Sequence, residues 1–277
     1  MGVQIVELMK DEFNRSSSRT WRSRLIGCLA LAVGTSLALT NAACRSTTNR
    51  GAFSEAGAGG YWKCGESSGN LNDSSGNGNT ATANGTITYG VVGPIVDHVT
   101  TAISIAGGSG NHFSVASAAS LPSGDVLSYS VWFKMGSLAL ASYGFGGQTG
   151  ISTGSPGMRC FAIGNGTSVT LYLEAWDGTT ESVLANSSTT ISDTTTWHFV
   201  TFTKNGSTSN IYLDGNDVTL AGGNITLAPS NAGFTIGGGP GLSDFNGSLG
   251  QITLYKTALT LQQHQNLYNY SNRSHPL

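Results

Sequence analysis

The acidic cluster best placed for chemistry in this sequence is Glu174, Asp177 and Glu181. A retaining glycosidase needs two carboxyl groups about 5–5.5 Å apart, one as acid and one as nucleophile. On one strand, residues three or seven apart point to opposite faces, so Glu174 is expected to share a face with neither partner unless a bulge intervenes. Asp177-Gly178 itself reads as a turn. No catalytic residue is therefore assigned. The five histidines, His98, His112, His198, His264 and His275, are scattered, with no Ser-His-Asp or metal-ligand spacing among them. His198, next to Trp197, is expected to pack within a strand with one ring nitrogen hydrogen-bonded.

Two other kinds of site are written in the residue types. The loop Asp73-Ser-Ser-Gly-Asn77-Gly-Asn79 offers Asp, Ser and Asn oxygens with flexible glycine carbonyls, and Ca2+ takes roughly six to eight oxygens. Asp73, Asn77 and Asn79 are its candidate ligands. With a single formal charge the loop is expected to hold Ca2+ weakly if at all, and it reads more readily as an Asn/Gly turn stabilised by its own side chains. Tyr143, Phe145, Trp176 and Phe245 lie near expected loops and are the candidate ligand-binding aromatics, since a ring face matches the C–H face of a sugar.

The composition limits what such sites could serve. The 277 residues are 39% hydrophobic with 39 glycines, enough for a sizeable core crossed by many tight turns. Charged residues make up only 10% and the net charge is -2, so there is no cationic field for nucleic acid. Low charge with abundant Ser, Thr, Asn and Gly suits an exterior location. Cys28, Cys44, Cys64 and Cys160 follow no C-x-x-C spacing, which argues against a zinc or redox motif. Cys64 and Cys160 read either as a pair in an oxidising compartment or as free buried thiols.

The first sixty residues stand apart. The apolar run Leu25 to Leu39 follows Arg15, Arg19, Arg22 and Arg24 and precedes the small residues Ala42 and Ala43. It is shorter than the ~20 residues of a membrane-spanning helix, so no integral span is expected. It reads as a secretory signal, although Glu7, Asp11 and Glu12 make the leader unusual. It reads equally as an intact arm that packs on a partner subunit. Arg45 to Gly60 reads as a linker, giving an arm or signal over 1–60 and a β-domain over 61–272.

Beyond Gly60, short apolar runs alternate with turn residues, the pattern of an antiparallel sandwich. Leu127, Tyr129, Val131 and Phe133 fall on one face of one strand, and Val169, Leu171, Leu173 and Ala175 on one face of another. Asn205-Gly206 and Asp214-Gly215 mark two turns with glycine at positions that need positive φ. Leu249, Ile252 and Leu254 are candidate core residues of a late strand. Thr260 to Tyr270 reads as one short closing helix with Thr260 at its N-cap.

Tyr61-Trp-Lys-Cys-Gly-Glu-Ser-Ser-Gly69, the Asp73 loop, Ala102-Ile-Ser-Ile-Ala-Gly107, Tyr129-Ser-Val-Trp-Phe-Lys134 and Trp197-His198 through Leu213-Asp-Gly215 occur in a diagnostic order. Phe234-Thr-Ile-Gly237, Phe245-Asn-Gly247 and Leu254-Tyr-Lys-Thr-Ala-Leu259 complete it. The series resembles the bacterial and phage laminin-G-like domain of the concanavalin A-like lectin/glucanase superfamily over Tyr61 to Tyr270. The resemblance implies an all-β jelly-roll sandwich of two antiparallel sheets, with one short C-terminal helix and the N-terminal arm. Relatives often bind Ca2+ at the Asp73 loop with help from acids in the final strand, where this chain has Gly250 and Gln251. The superfamily's glucanase carboxylate motif is absent.

Fold does not decide function. The reading expected from the sequence is a non-enzymatic binding or structural module at an extracellular or virion surface. Its partners are surface glycans or other subunits of an assembly, as a homo-oligomer. The alternatives are a secreted calcium-dependent lectin-like protein and, less favoured by the residues, a glycoside hydrolase.

Overall fold

A computed structural model describes residues 57–94, 101–149, 155–230 and 232–272. The readings of the apolar run, of Cys28 and Cys44, and of His98 and His275 lie outside these residues. The strands are β1 (Ala58–Trp62), β2 (Ala81–Ala83), β3 (Ile87–Val92), β4 (Thr101–Ala106), β5 (Phe113–Val115), β6 (Val126–Met135) and β7 (Ser142–Gln148). There follow β8 (Gly157–Gly164), β9 (Val169–Trp176), β10 (Glu181–Ser187), β11 (His198–Asn205), β12 (Thr208–Leu213), β13 (Asn216–Asp217) and β14 (Thr219–Ala221). The last are β15 (Phe234–Ile236), β16 (Ser243–Asp244) and β17 (Asn246–Tyr255), closed by helix α1 (Leu261–Asn272).

These strands form two sheets. The eight-stranded one runs β13-β12-β11-β6-β17-β4-β3 with β1 added on β17, and the nine-stranded one runs β14-β10-β9-β8-β7-β15-β5-β2 with β16 beside β7. Pairing is antiparallel apart from the short β16–β7 contact. β1 already begins at Ala58, so the last residues assigned to the linker are strand, paired through Ala58–Tyr255 and Trp62–Ile252.

Alternation builds the core. Leu127, Tyr129, Val131 and Phe133 of β6 meet Val169, Leu171, Leu173 and Ala175 of β9 in one buried cluster, as their spacing predicts. Leu249 and Ile252 both face inward although strict alternation would separate them. The register of β17 slips between Gly250 and Thr253, where Gln251 adopts φ 49°, and this bulge turns both side chains to the same face. Cys64 and Cys160 are free, buried thiols, and burial pushes the Cys160 thiol well above its ordinary value.

The turns follow their glycines. Gly206, at φ 60°, takes the first loop position between paired Asn205 and Thr208. Asp214 at 49° and Gly215 at 84° both take positive φ between paired Leu213 and Asn216, as a type I′ turn requires.

Helix α1 starts with a capping box. Thr260 Oγ1 accepts the Gln263 N–H at 3.3 Å while Gln263 Oε1 accepts the Thr260 N–H at 2.8 Å. It packs on the eight-stranded sheet, where Tyr268 stacks on Trp132 at 5.8 Å and His264 on Phe199 at 5.0 Å. The nine-stranded sheet keeps part of its outer face exposed, with Ile163, Val183 and Leu220 between 36% and 48% accessible.

Candidate functional site

That outer face carries the chemistry, with Phe161 and Glu174 buried on it and Arg159, Tyr172 and Trp176 half-buried. Met158, Cys160 and Ala162 of β8, and Leu171, Leu173 and Ala175 of β9, point into the core, so the residues between them point out. Register aligns the outward residues in rows across the strands. Phe161 lies opposite Tyr172, which lies opposite Asn186. In the next row Arg159 lies opposite Glu174, and Glu174 opposite Val183. Trp176 pairs with Glu181 in the row beyond.

Within these rows the side chains interlock. Phe161 and Tyr172 stack at 5.4 Å with planes 15° apart, and the Arg159 guanidinium sits 5.6 Å from the Phe161 ring centroid. Arg159 Nε donates to Glu174 Oε2 at 2.6 Å. Its Nη1 donates to the Pro240 carbonyl at 2.8 Å, and its Nη2 donates to Glu181 Oε1 while lying 2.6 Å from Glu174 Oε2. Burial raises the Glu174 pKa above the usual carboxylate value, and the hydrogen bond and charge of Arg159 offset this only in part.

The expectation about the acidic cluster is thus corrected. Glu174 and Glu181 do share a face, because the segment between them reverses into a hairpin and the single-strand rule does not apply across a turn. Asp177 forms that turn, its Oδ1 accepting the N–H groups of Thr179 and Thr180, each at 2.7 Å. The Arg159 guanidinium bridges the two carboxylates, bonded to both.

The candidate aromatics divide. Phe145 and Phe245 are fully buried and Tyr143 is 4% accessible, so these three are core side chains and the stacking role expected of them is withdrawn. Phe145 packs on Phe245 at 4.9 Å. They lie near expected loops in the sequence, but Tyr143 and Phe145 point inward from β7 and Phe245 packs into the same core cluster. Trp176 alone of the four stands on the outer face, half-buried. Tyr172 and Arg159 were missed. Their signal was present in the alternation: each occupies the outward position between two core residues.

The Asp73 loop is a clamp. Asp73 Oδ1 accepts the N–H groups of Tyr61 and Ser75 at 2.9 and 2.8 Å. Its Oδ2 accepts the Ser75 hydroxyl and the Asn79 N–H, both at 2.8 Å. Burial opposes ionisation of Asp73, yet these bonds outweigh it and hold the pKa below the ordinary value. Asn77 Nδ2 donates to the Ala58 carbonyl at 2.8 Å and Asn79 Nδ2 to that of Gly59 at 2.5 Å. The amide groups are thus turned toward β1, and the loop ties β1 down through its own side chains. On the final strand, Gln251 Oε1 accepts the Tyr61 hydroxyl. Among the described residues no group of three or more His, Cys, Asp or Glu could hold a metal ion.

Among the described histidines, His198 and His264 are held in structural contacts. His198 Nδ1 lies 2.6 Å from Asp214 Oδ2, and its Nε2 faces Asp193 Oδ2 at 3.6 Å with no hydroxyl bonded to it. Burial lowers its pKa, but the Asp214 bond and the charges of Asp214 and Asp193 overcome that and leave it raised. His264, on the inward side of α1, is wholly buried. A cavity between Leu127, Met158, Phe234 and Leu254 measures about 10 Å³, room for roughly one water, so it is no ligand chamber.

The model of the concanavalin A-like lectin/glucanases superfamily matches residues 107–263, more than half of the chain. The protein belongs to this superfamily. A search of curated proteins finds no match. Among solved structures, domain 4 of AbnA, a GH43 extracellular arabinanase from Geobacillus stearothermophilus in complex with arabinotriose, aligns with TM-score 0.56 at 19% identity. The alignment covers 77% of this chain and 99% of that domain. The binding domain of Paraclostridial mosquitocidal protein 1 aligns with TM-score 0.56 at 13% identity, over 78% of this chain and 52% of that one. The binding domain of botulinum neurotoxin DC in complex with SialylT gives 0.52 and 13%, again over 78% and 52%. The chain therefore spans about half the length of the toxin binding domains. At such identities the likeness extends to the superfamily fold. The fold begins before the matched segment, since β1 to β4 precede residue 107 and pair into the same sandwich.

Proposed function

We propose that this chain is a non-catalytic glycan-binding module whose binding face is the outer side of β8, β9 and β10. The observation that carries the reading is the row arrangement there: the half-buried rings of Trp176 and Tyr172 flank Glu174 on the outer side of β9, and the exposed Glu181 carboxylate lies opposite Trp176. Rings of this kind stack against the C–H face of a sugar, while carboxylates accept its hydroxyl protons. The two carboxylates are held by Arg159, which supports binding over hydrolysis.

The setting we infer is the exterior of a cell or of a virion, with the module present in several copies. Superfamily membership and a charged fraction of 10% support it. Among the described residues no helix is long and apolar enough to cross a membrane. Mass spectrometry of the native N-terminus separates the two versions: an intact Met1 or Gly2 favours an assembled arm, and a start near residue 44 favours export.

Affinity electrophoresis through gels containing polysaccharide tests the binding face. Arabinan is a reasonable first probe, because the AbnA domain was solved with arabinotriose. The expected result is retardation of the wild type by at least one polysaccharide, reduced about tenfold or more in affinity by Trp176→Ala or Tyr172→Ala. Retardation unchanged in both variants would place the site elsewhere.

A further inference from the structure

Resting on the glycan-binding reading just given, we infer that the face selects by charge: it takes neutral sugar chains and rejects carboxylated or sulfated ones, because the one cation it carries is already committed. Among the described residues Arg159 is the sole Lys or Arg in the strands of the nine-stranded sheet. A free guanidinium there would be a ready fork for a uronate carboxylate or a sulfate. This one is not free. Nε, Nη1 and Nη2 are each engaged, by Glu174, by the Pro240 carbonyl and by Glu181 together with Glu174.

The surrounding charge completes the argument. One guanidinium against two carboxylates leaves this part of the face with an excess negative charge. The Glu181 side chain, 43% accessible, presents it to solvent. An anionic sugar laid on Tyr172 or Trp176 would bring its own charge near that carboxylate, and among the described residues the strands of this sheet offer no uncommitted cation to offset it; like charges so juxtaposed oppose binding. A neutral sugar meets no such penalty and can donate its hydroxyl protons to the same oxygens. Glu174 and Glu181 are thus specificity determinants that act by holding Arg159 away from ligand.

The test compares the full chain with Glu181→Gln and Glu174→Gln/Glu181→Gln in gels containing arabinan, galactan or β-glucan as neutral probes and polygalacturonate or chondroitin sulfate as anionic ones. The wild type is expected to be retarded by a neutral probe and about tenfold less by either anionic probe at low salt. The double variant, with its guanidinium released, is expected to gain retardation on an anionic probe, and to lose that gain at about 0.5 M NaCl. Glu181→Gln, altered at an exposed side chain, shows a smaller gain and carries the comparison if near-ultraviolet circular dichroism shows the double variant misfolded. Wild-type retardation by anionic probes equal to or above that by neutral ones overturns the charge selection and leaves glycan binding standing. Variants that gain nothing on anionic probes overturn the role of Arg159. Retardation by no probe of either class overturns both readings.

Discussion

His264 Nε2 accepts the backbone N–H of Gly215 at 3.0 Å, and this bond fixes the tautomer of a histidine that is wholly buried. With Nε2 an acceptor, Nδ1 carries the proton and donates to Thr201 Oγ1 at 2.8 Å. Thr201 in turn shares a 2.9 Å bond with Ser130 Oγ. The chain of bonds joins α1 to β11, β6 and the Asp214-Gly215 turn. The bond from Gly215 needs the imidazole neutral, since a protonated Nε2 cannot accept.

Acid should therefore loosen this end of the sandwich. Burial lowers the His264 pKa from 6.5 to about 4, opposed weakly by the charge of Asp214. Between those values the unfolded chain binds the proton and the folded one does not, so stability rises with pH. The contribution is complete above about pH 6.5 and is lost as pH falls toward 4, at most roughly 3 kcal/mol. His198, whose folded pKa is raised, acts in the opposite sense: its contribution is present below about 6.5 and fades as pH rises through the folded value. Urea unfolding of the wild type and His264→Gln at pH 7.5 and 4.5 separates the two. The stability difference between the proteins is expected to shrink at the lower pH, and a constant difference would remove His264 as the acid-sensitive group.

The Asp73 loop gives a second prediction. Four donors converge on that carboxylate, and charge-assisted bonds of this kind are worth more than neutral ones. Asp73→Ala is expected to cost about 2–3 kcal/mol in chemical denaturation, since it strands buried N–H groups at the β1 edge. Because the folded pKa lies below 3.8, the stabilisation is present above about pH 4 and is lost as pH falls through the folded value. Calcium calorimetry on the wild type is expected to show no saturable heat. A saturable heat that disappears in Asp73→Ala would restore the loop as an ion site.

The contrast between what the sequence showed and what it hid has a physical cause. Alternation in Leu127 to Phe133 and Val169 to Ala175 reports burial directly, since a strand with one face in a core must alternate, and those eight side chains are in the core cluster. The type I′ turn at Asp214-Gly215 was legible because few residues tolerate its backbone. The binding face was not legible, because its rows are made by register between strands that only the folded chain brings together. Arg159, Glu174 and Glu181 are 15 and 7 residues apart along the chain and meet only through the pairing of β8, β9 and β10. Proximity to a loop was a poor guide to exposure for Phe145 and Phe245, since Phe145 lies mid-strand in β7 and the turn between β16 and β17 carries Phe245 into the core.

Phe145 and Trp176 make the last prediction, because they separate core from face with the same kind of substitution. Phe145 is fully buried and sits amid Phe133, Phe202 and Phe245, with ring centroids 4.9 to 5.7 Å away. Truncation to alanine removes a large ring from amid Phe133 and Phe202 of the eight-stranded sheet and Phe245, and is expected to cost about 3–5 kcal/mol. Trp176 is half-buried on the outer face, so Trp176→Ala should lower stability by much less. Ligand retention should move the other way, with Phe145→Ala, where still folded, retaining the polysaccharide affinity of the wild type and Trp176→Ala losing it. Denaturation midpoints and gel retardation measured on the same two variants check both halves. If Trp176→Ala proved the more destabilising of the pair, its ring would be a structural support of β9 rather than a surface for ligand, and the face would have to be redrawn around Tyr172.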